Sequence, residues 1–293
     1  MELLNTLYNL MGLVFVLGTI ISMGLSLTMS QITGPLRNGR FVIMALLANF
    51  VIPPIAALIL IRVFGLDEPL AVGLLLVSLA AGAPALPKTA VFAKLDTAAA
   101  TGLMVLLVVA TIIVLPLALP LLLTGISVTF WDIASGLVYL ILIPLAISLF
   151  VRARYPEAAA SAQPMFAQAS NLSLLILLVL MVVLNFSDVV GLLGSGGLLA
   201  SLILVILTTA GGYVLGKLGN AGDWLQALGA GQRNIAAAMV VATMNFGNDE
   251  VVMVVVYSLI VMVVLIPLAL ELGKRQAQTA EGQKEEEIGP APM

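Results

Sequence analysis

One arginine inside an otherwise apolar stretch constrains the fold of this chain more than any other feature. The stretch covers residues 225–246, about the 20 residues that a helix needs to cross the hydrocarbon core of a bilayer. Arg233 lies in its first half, next to Gly231, Gln232 and Asn234. An arginine at membrane depth is costly unless it faces a cavity or a partner, and nearby glycine favours a broken helix. We therefore predict a break here; the alternative is that Arg233 extends to the membrane surface and the glycines serve helix packing.

Composition indicates that the chain is a membrane protein. Of its 293 residues, 61% are hydrophobic and 9% are charged, whereas a soluble domain is roughly half apolar and one quarter charged. Cysteine and histidine are absent, which excludes disulfides and cysteine nucleophiles and removes the usual metal ligands. Because every Asp and Glu lies in a loop or at the end of a predicted span, we reject an intramembrane enzyme and expect no cofactor and no metal site. The small net charge of −3 gives no support for a nucleic-acid partner.

Hydropathy predicts nine transmembrane helices joined by short loops, so the expected fold class is an all-α integral membrane protein built as one bundle. The predicted spans are residues 5–27, 40–63, 69–93, 98–124, 133–151, 169–187, 197–218, 224–246 and 250–272. We expect residues 1–272 to form a single transmembrane transporter domain. Residues 273–293 are polar and acidic, and there we predict a disordered cytoplasmic tail.

The distribution of charge predicts the orientation of these helices. Basic residues cluster in the loops of one side: Arg37, Arg40, Lys94, Arg152, Arg154, Lys217, Lys274 and Arg275. The loops of the opposite side carry most of the acidic residues outside the tail. Because basic loops remain in the cytoplasm, we expect a multi-pass protein of the cell membrane with its N-terminus outside and its C-terminus inside.

A second interruption is expected in the third span, residues 69–93. Pro84 and Pro87 remove two amide donors, and Lys88 and Thr89 follow directly. One interpretation shortens the span to 69–86 and makes Lys88 a cytoplasmic loop residue. We favour a broken helix with Lys88 at its break, since Thr89 and the residues after it can continue the helix inward.

The second and eighth spans add two further expectations. In span two, Asn49 precedes two prolines that bend a helix, and its amide is either a ligand or an interhelical hydrogen bond. Spans three and eight run in opposite directions, and each carries a break with a cation, Lys88 or Arg233. This placement predicts an inverted-repeat transporter with two crossed broken helices near the midplane of the membrane.

Four motifs, in this order, carry a family resemblance: Met23–Thr28, Leu47–Pro54, Ala93–Asp96, and Gly231–Asn234 with the alanine-rich run behind it. From about Ile21 to Leu272 the chain resembles the bile acid:sodium symporter family, in its nine-helix form. The resemblance implies a core domain with two crossed broken helices and a panel domain that moves against it. It also implies elevator-like alternating access and organic-anion substrates, often carried with sodium.

The chain departs from the resemblance at both sodium sites. The first site of the family uses the motif Gly-Gly-x-x-Ser-Asn and hydroxyl groups of the next helix. In this chain the motif positions are Gly82, Ala83, Leu86 and Pro87, and the hydroxyl positions are Ala100 and Met104. Positions matching the second, Glu-x-Gly-x-Gln-Asn, are Gly229, Gly231, Arg233 and Asn234. Of the implied side-chain ligands, only Asn234 and the amide at Asn49 remain. Sodium needs a shell of oxygens, and arginine and lysine offer donors only, so we predict that both sites are dismantled.

Two fixed cations, Lys88 and Arg233, therefore stand where two sodium ions would sit. Uncompensated charges inside a bundle favour a visiting anion, and arginine can grip a carboxylate or sulfonate in bidentate fashion. We expect a secondary transporter of a small organic anion in the lipid bilayer, with protons as a candidate coupling ion through Lys88. The predicted substrate and ion pathway comprises Arg233, Asn234, Lys88, Gln232, Asn49, Gly231, Thr89 and Pro87.

Other functions stay open at this point. A sodium-coupled symporter would take its ligands from exposed carbonyls and from Asn49, Asn234 and Gln232. A channel or a membrane-embedded ligand sensor is less favoured, because the tail is too short for a signalling domain. The sequence identifies neither the substrate nor the oligomeric state.

Overall fold

A computed structural model describes residues 2–28, 30–31, 38–123, 128–184, 194–220 and 222–288, and the regular structure in these ranges is entirely helical. A short π-helical turn, Val138–Leu142, joins the helix Phe130–Leu137 to the helix Ile143–Arg154. The helices are α1 (Glu2–Ser26), α2 (Gly39–Phe50), α3 (Ile52–Phe64), α4 (Glu68–Leu79), α5 (Leu86–Phe92), α6 (Thr97–Leu122), α7 (Phe130–Leu137), α8 (Ile143–Arg154), α9 (Pro156–Leu184), α10 (Gly197–Gly219), α11 (Asp223–Gly231), α12 (Ile235–Asn245) and α13 (Asn248–Ile288).

Six segments of the described residues are long and apolar enough to cross a membrane: Thr6–Ser26, Gly39–Phe64, Thr97–Leu122, Phe130–Arg154, Gly197–Gly219 and Asp249–Gln278. They confirm an all-helical, multi-pass membrane protein. Two further predicted spans, 69–93 and 224–246, correspond to the interrupted pairs α4–α5 and α11–α12. The remaining one, 169–187, falls on the second half of α9 and on residues outside the described ranges. The count of nine stays a prediction.

Helices α1, α8 and α9 pack together as one group. Small residues allow their backbones to approach closely, since a Cβ built at Gly24 would lie 2.5 Å from the Cβ of Ser148. Hydrogen bonds join α1 to α9: the hydroxyl groups of Thr19 and Ser170 are 2.5 Å apart, and the Ser170 hydroxyl also donates to a carbonyl of α1. The group is therefore held by both packing and polar contacts.

The second group comprises α2–α6 and α10–α13. In it, α10 packs along α11, and α13 packs along α4, where Gly73 admits the side chain of Met253. The two groups meet where α1 contacts α12, and α7, which leads into α8, contacts α6 and α12. At this seam, Gly136 of α7 faces the flexible side chain of Met244 in α12.

The C-terminal segment differs from the prediction of a disordered tail. Helix α13 continues without interruption from Asn248 to Ile288, so residues 273–288 are helical in the structure. The physical reason is local: Gln, Ala, Lys and Glu dominate this segment and favour helix, and extending an existing helix needs no new nucleus. Residues 289–293 lie outside the described ranges.

Candidate functional site

The two interrupted helices meet at their breaks. The amide of Asn234, in the break between α11 and α12, donates to the carbonyl of Ala80, in the break between α4 and α5, at 2.8 Å. At about 1.5 Å per residue, α4 is about 18 Å long and α11 about 14 Å, so neither helix alone spans a roughly 30 Å hydrocarbon core. Both predicted interruptions are present, and they lie side by side.

The first break is fixed by a threonine of the neighbouring helix. The hydroxyl of Thr111, in α6, accepts from the amide of Ala81 at 2.9 Å and donates to the carbonyl of Ala81 at 3.0 Å. The next residue, Gly82, has a φ of +83°, and a Cβ there would lie 2.5 Å from the amide nitrogen of Val108. Only glycine fits this position without displacing α6.

Arg233 lies in the second break with 2% of its surface exposed, and all five of its N–H groups donate to protein oxygens. Nε donates to Val77 O at 2.9 Å, and Nη2 donates to Asn49 O at 3.1 Å and to Ser78 O. Nη1 donates to the side-chain oxygen of Asn49 at 3.1 Å and to Ala230 O at 3.3 Å. The guanidinium is thus enclosed by five oxygens from three helices.

The carbonyl groups around Arg233 all belong to the last turns of helices. Asn49 is at the end of α2, Val77 and Ser78 are at the end of α4, and Ala230 is at the end of α11. Carbonyls of a last turn lack partners within their own helix, and each helix end carries roughly half a negative charge. Three such ends converge on one guanidinium. Among the described residues, no carboxylate pairs with Arg233, and the helix ends explain how its charge is tolerated.

Gln232 and Asn234 lie on either side of Arg233, and both are buried. The side-chain amide nitrogen of Gln232 donates to the hydroxyl of Thr89 in α5 at 2.6 Å. This is a second hydrogen bond between the two interrupted helices. The side-chain oxygen of Asn234 accepts from the amide of Ala237 at 3.0 Å and caps α12. Among the described residues, Gln232 Oε1 and Asn234 Nδ2 have no hydrogen-bond partner.

Lys88 lies elsewhere than we predicted. The break covers residues 80–85, and Lys88 is the third residue of α5, with its side chain exposed. The helix begins earlier than expected because Pro87 lies in its first turn, where a proline's missing amide and fixed φ suit the helix. Within the part of the chain that the structure describes, Lys88 makes no hydrogen bond or ion pair. It is a free cation, whereas Arg233 is fully bonded.

Apolar side chains fill the space around positions that the resemblance assigns to the two sodium sites. Leu86, Ala100 and Met104 are buried. A Cβ built at Gly229 would lie 2.8 Å from a methyl carbon of Leu103 and 3.5 Å from one of Leu86. Hydrocarbon side chains therefore fill the space between α5, α6 and α11.

Two groups of site residues were not among those predicted. Thr111 is one of several threonines in the same apolar span, and nothing in the sequence distinguishes it from the others, such as Thr101. Val77 and Ser78 contribute only their carbonyls, which every residue possesses. Of the predicted residues, the structure brings together Arg233, Asn49, Gln232, Thr89 and Asn234.

The other three predicted residues lie beside this cluster. Gly231 is the last residue of α11 and packs against Thr209, and Pro87 and Lys88 lie in the first turn of α5.

A bundle of apolar helices, two of them interrupted and meeting at their breaks, defines a multi-pass membrane transport protein. A family model described as the sodium bile acid symporter family matches residues 11–192, more than half of the chain. The chain belongs to this family, as the motifs indicated, and it is therefore a membrane transporter. The matched region ends before α10, so Arg233 lies beyond it. No individually curated protein matches the chain.

Proposed function

We propose that the protein is a secondary transporter of a small organic anion that works by alternating access without the usual sodium sites of its family. One observation carries the proposal: the guanidinium of Arg233 already occupies the five oxygens that converge at the two breaks. A sodium ion requires a shell of such oxygens. A tethered cation that uses them leaves none at this position for a mobile ion.

The apolar surroundings of Gly229 support the same proposal, because this position matches the glutamate of the family's second sodium site. Leu86 and Leu103 approach the position where the resemblance places a carboxylate. Neither leucine offers an oxygen, and a sodium ion in contact with them would lose hydration without replacement.

We assign the first contact with the anion to Lys88. Its ammonium group is exposed and unpaired within the described residues, and it lies one helical turn or less from the break. Arg233 contributes its charge to the same region, but a substrate would bond to it directly only after some of its five hydrogen bonds opened. The remaining members of the proposed pathway are Pro87, Thr89, Gly231, Gln232, Asn234 and Asn49.

Nine spans and an inverted repeat belong to this proposal. The two groups of helices support a panel formed by α1, α8 and α9 and a core that contains both interrupted helices. Contacts between the ends of helices support the predicted orientation. Arg40 donates to the carbonyl of Leu218 at 2.6 Å, and Thr28 and Arg152 line one pocket. Basic ends of several helices thus share one side, which we assign to the cytoplasm of a cell-membrane protein.

Family membership favours a second candidate, a sodium-coupled organic-anion symporter. The observation that supports this candidate is the side-chain oxygen of Gln232, which is buried and has no partner among the described residues, because such an oxygen can bind a cation or a water. Such a site would have to assemble from Gln232, the Thr89 hydroxyl and backbone carbonyls beside an existing positive charge.

The two candidates differ in how the folded protein responds to sodium. Thermal unfolding of the purified protein is measured in sodium chloride and in choline chloride at equal ionic strength. A ligand present at 100 times its Kd would stabilise the folded state by about 2.7 kcal/mol. We expect equal unfolding temperatures in the two salts, and uptake of organic anions into proteoliposomes that is independent of a sodium gradient. A sodium-specific rise in unfolding temperature together with sodium-driven uptake would establish the second candidate instead.

A further inference from the structure

We infer that the oxygens around Arg233 form a guanidinium-binding cage in their own right, with the arginine as its built-in ligand. Removing the side chain should leave a site that takes up a free alkylguanidinium ion. The inference stands on the contacts of Arg233 alone and does not require the transport function proposed above.

The donor and acceptor counts carry the inference. An arginine side chain presents five N–H groups in one plane, and the cage presents one acceptor to each of them. Four of the five acceptors come from α2 and α4, and the fifth, the carbonyl of Ala230, comes from the end of α11 next to the break that carries Arg233. A set of acceptors held mainly by other elements persists when the arginine side chain is shortened.

Electrostatics favours a cation in this cage. Four of the five acceptors are carbonyls from helix C-termini, whose macrodipoles place negative charge there. Without a cation, the carbonyls of Asn49, Val77 and Ser78 would be buried without a donor, which is unfavourable. The empty cage is therefore expected to bind a cation from solution, and its five acceptors match the five N–H groups of a guanidinium rather than a spherical or tetrahedral ion.

A permanent ligand also changes how the two breaks are held. In the natural chain, the covalently attached guanidinium of Arg233 joins α11 to α2 and α4. In a variant that lacks the side chain, the same junction should depend on the concentration of added guanidinium. Arg233 is thus a positioning residue that substitutes for a soluble ligand.

The test uses the full chain with the substitution Arg233→Ala and the probe ethylguanidinium chloride. Ethylguanidinium supplies the two methylene carbons and the guanidinium that the substitution removes. Thermal unfolding of the variant and the natural chain is followed against rising probe concentration at constant ionic strength. Ethylammonium, sodium and choline chlorides serve as control salts. We expect a saturable rise in the unfolding temperature of Arg233→Ala with ethylguanidinium only, and no such rise for the natural chain, whose cage is occupied.

A second variant is used if Arg233→Ala folds poorly. Arg233→Gln retains a polar side chain, and the smaller guanidinium ion is the probe for it. If neither variant is stable alone, the yield of monodisperse protein purified with and without the probe becomes the readout. An equal response of the variants and the natural chain overturns the inference, as does equal stabilisation by sodium or ethylammonium. A sodium response of the natural chain bears instead on the proposed function, so the two can fail separately.

Discussion

Arg233 and Asn49 are 184 positions apart in the chain and are joined by two hydrogen bonds, one to the side-chain oxygen and one to the backbone carbonyl of Asn49, each 3.1 Å long. Asn49 in turn donates its side-chain amide to Ala45 O at 2.9 Å, which fixes the orientation of the accepting oxygen. One residue of α2 thus supplies two of the five acceptors around the buried guanidinium. This pair connects the second predicted span to the second break.

Replacing Asn49 with alanine should therefore destabilise the fold through Arg233. The substitution leaves one N–H of a buried cation without its acceptor, and such a loss costs about 1.5–3 kcal/mol. Chemical or thermal unfolding of the purified protein measures the change. Asn245→Ala is the matched control, because that amide only bonds to a carbonyl of its own helix at 3.0 Å. Equal losses in the two variants would show that the Asn49–Arg233 contact contributes nothing specific.

Thr111→Val tests the bond between α6 and the first break. Valine keeps the volume of threonine but removes the hydroxyl that both accepts from and donates to Ala81. Two buried backbone groups lose their partner, so we expect a loss of about 2–4 kcal/mol. In the same helix, Thr101→Val removes a hydroxyl that bonds only to Thr97 O, and it should cost about 1 kcal/mol or less. A smaller effect at Thr111 than at Thr101 would contradict this account of the break.

Gly82→Ala tests the close approach of the first break to α6. A positive φ costs an alanine about 1–2 kcal/mol, and its Cβ would in addition overlap the backbone nitrogen of Val108. We expect a loss of at least about 3 kcal/mol or failure to fold. At Gly39, in the first turn of α2, a Cβ meets nothing within 4 Å, so Gly39→Ala should be neutral or slightly stabilising. Comparison of the two variants by thermal unfolding separates strain from a general effect of removing glycine.

The sequence was informative about the breaks because their chemistry is local. Glycines beside Arg233 and prolines before Lys88 disfavour a continuous helix whatever surrounds them, and both interruptions are present. The second includes Arg233, whereas the first covers residues 80–85 and ends before Pro87 and Lys88. The buried position of Arg233 also followed, since an apolar stretch of span length leaves its side chain few alternatives. The family resemblance rested on short motifs, and the family match over the first part of the chain confirmed it.

The partners of these residues could not be predicted in the same way. The charge of Arg233 is stabilised by carbonyls at the ends of α2, α4 and α11. Every residue has a backbone carbonyl, so the sequence does not show which ones will act as partners. The sequence predicts an uncompensated charge inside the bundle because it places no carboxylate near Arg233, whereas the partners in the structure are carbonyls. The position of Lys88 was wrong for a related reason: whether Pro87 ends one helix or begins the next depends on where the chain turns after Ala80. Tertiary contacts, such as those of Thr111 with Ala81, decide that turn.

Lys88→Gln should reduce transport without reducing stability. The side chain is exposed and unpaired within the described residues, so its loss removes charge but no packing. If it provides the first contact with the anion, the apparent affinity for substrate should fall by about tenfold or more, as expected for a lost charge-assisted contact. Uptake into proteoliposomes and the unfolding temperature are measured in parallel. Lys217→Gln, an exposed lysine at the end of α10, is the control and should leave both unchanged.

The hydrogen bond between Gln232 and Thr89 allows the coupling of the two interrupted helices to be measured directly. It is 2.6 Å long and joins residues 143 positions apart, and it is buried between α5 and the second break. Gln232→Met and Thr89→Val each remove one partner, and the double variant removes both. Because an unpaired buried group costs more than a pair removed together, the double variant should be less destabilised than the sum of the single ones, by about 0.5–2 kcal/mol. Thr89→Val combined with Thr243→Val is the additive control, since Thr243 bonds only within α12. Additivity in the Gln232–Thr89 cycle would mean that the breaks are held by Arg233 and backbone contacts alone.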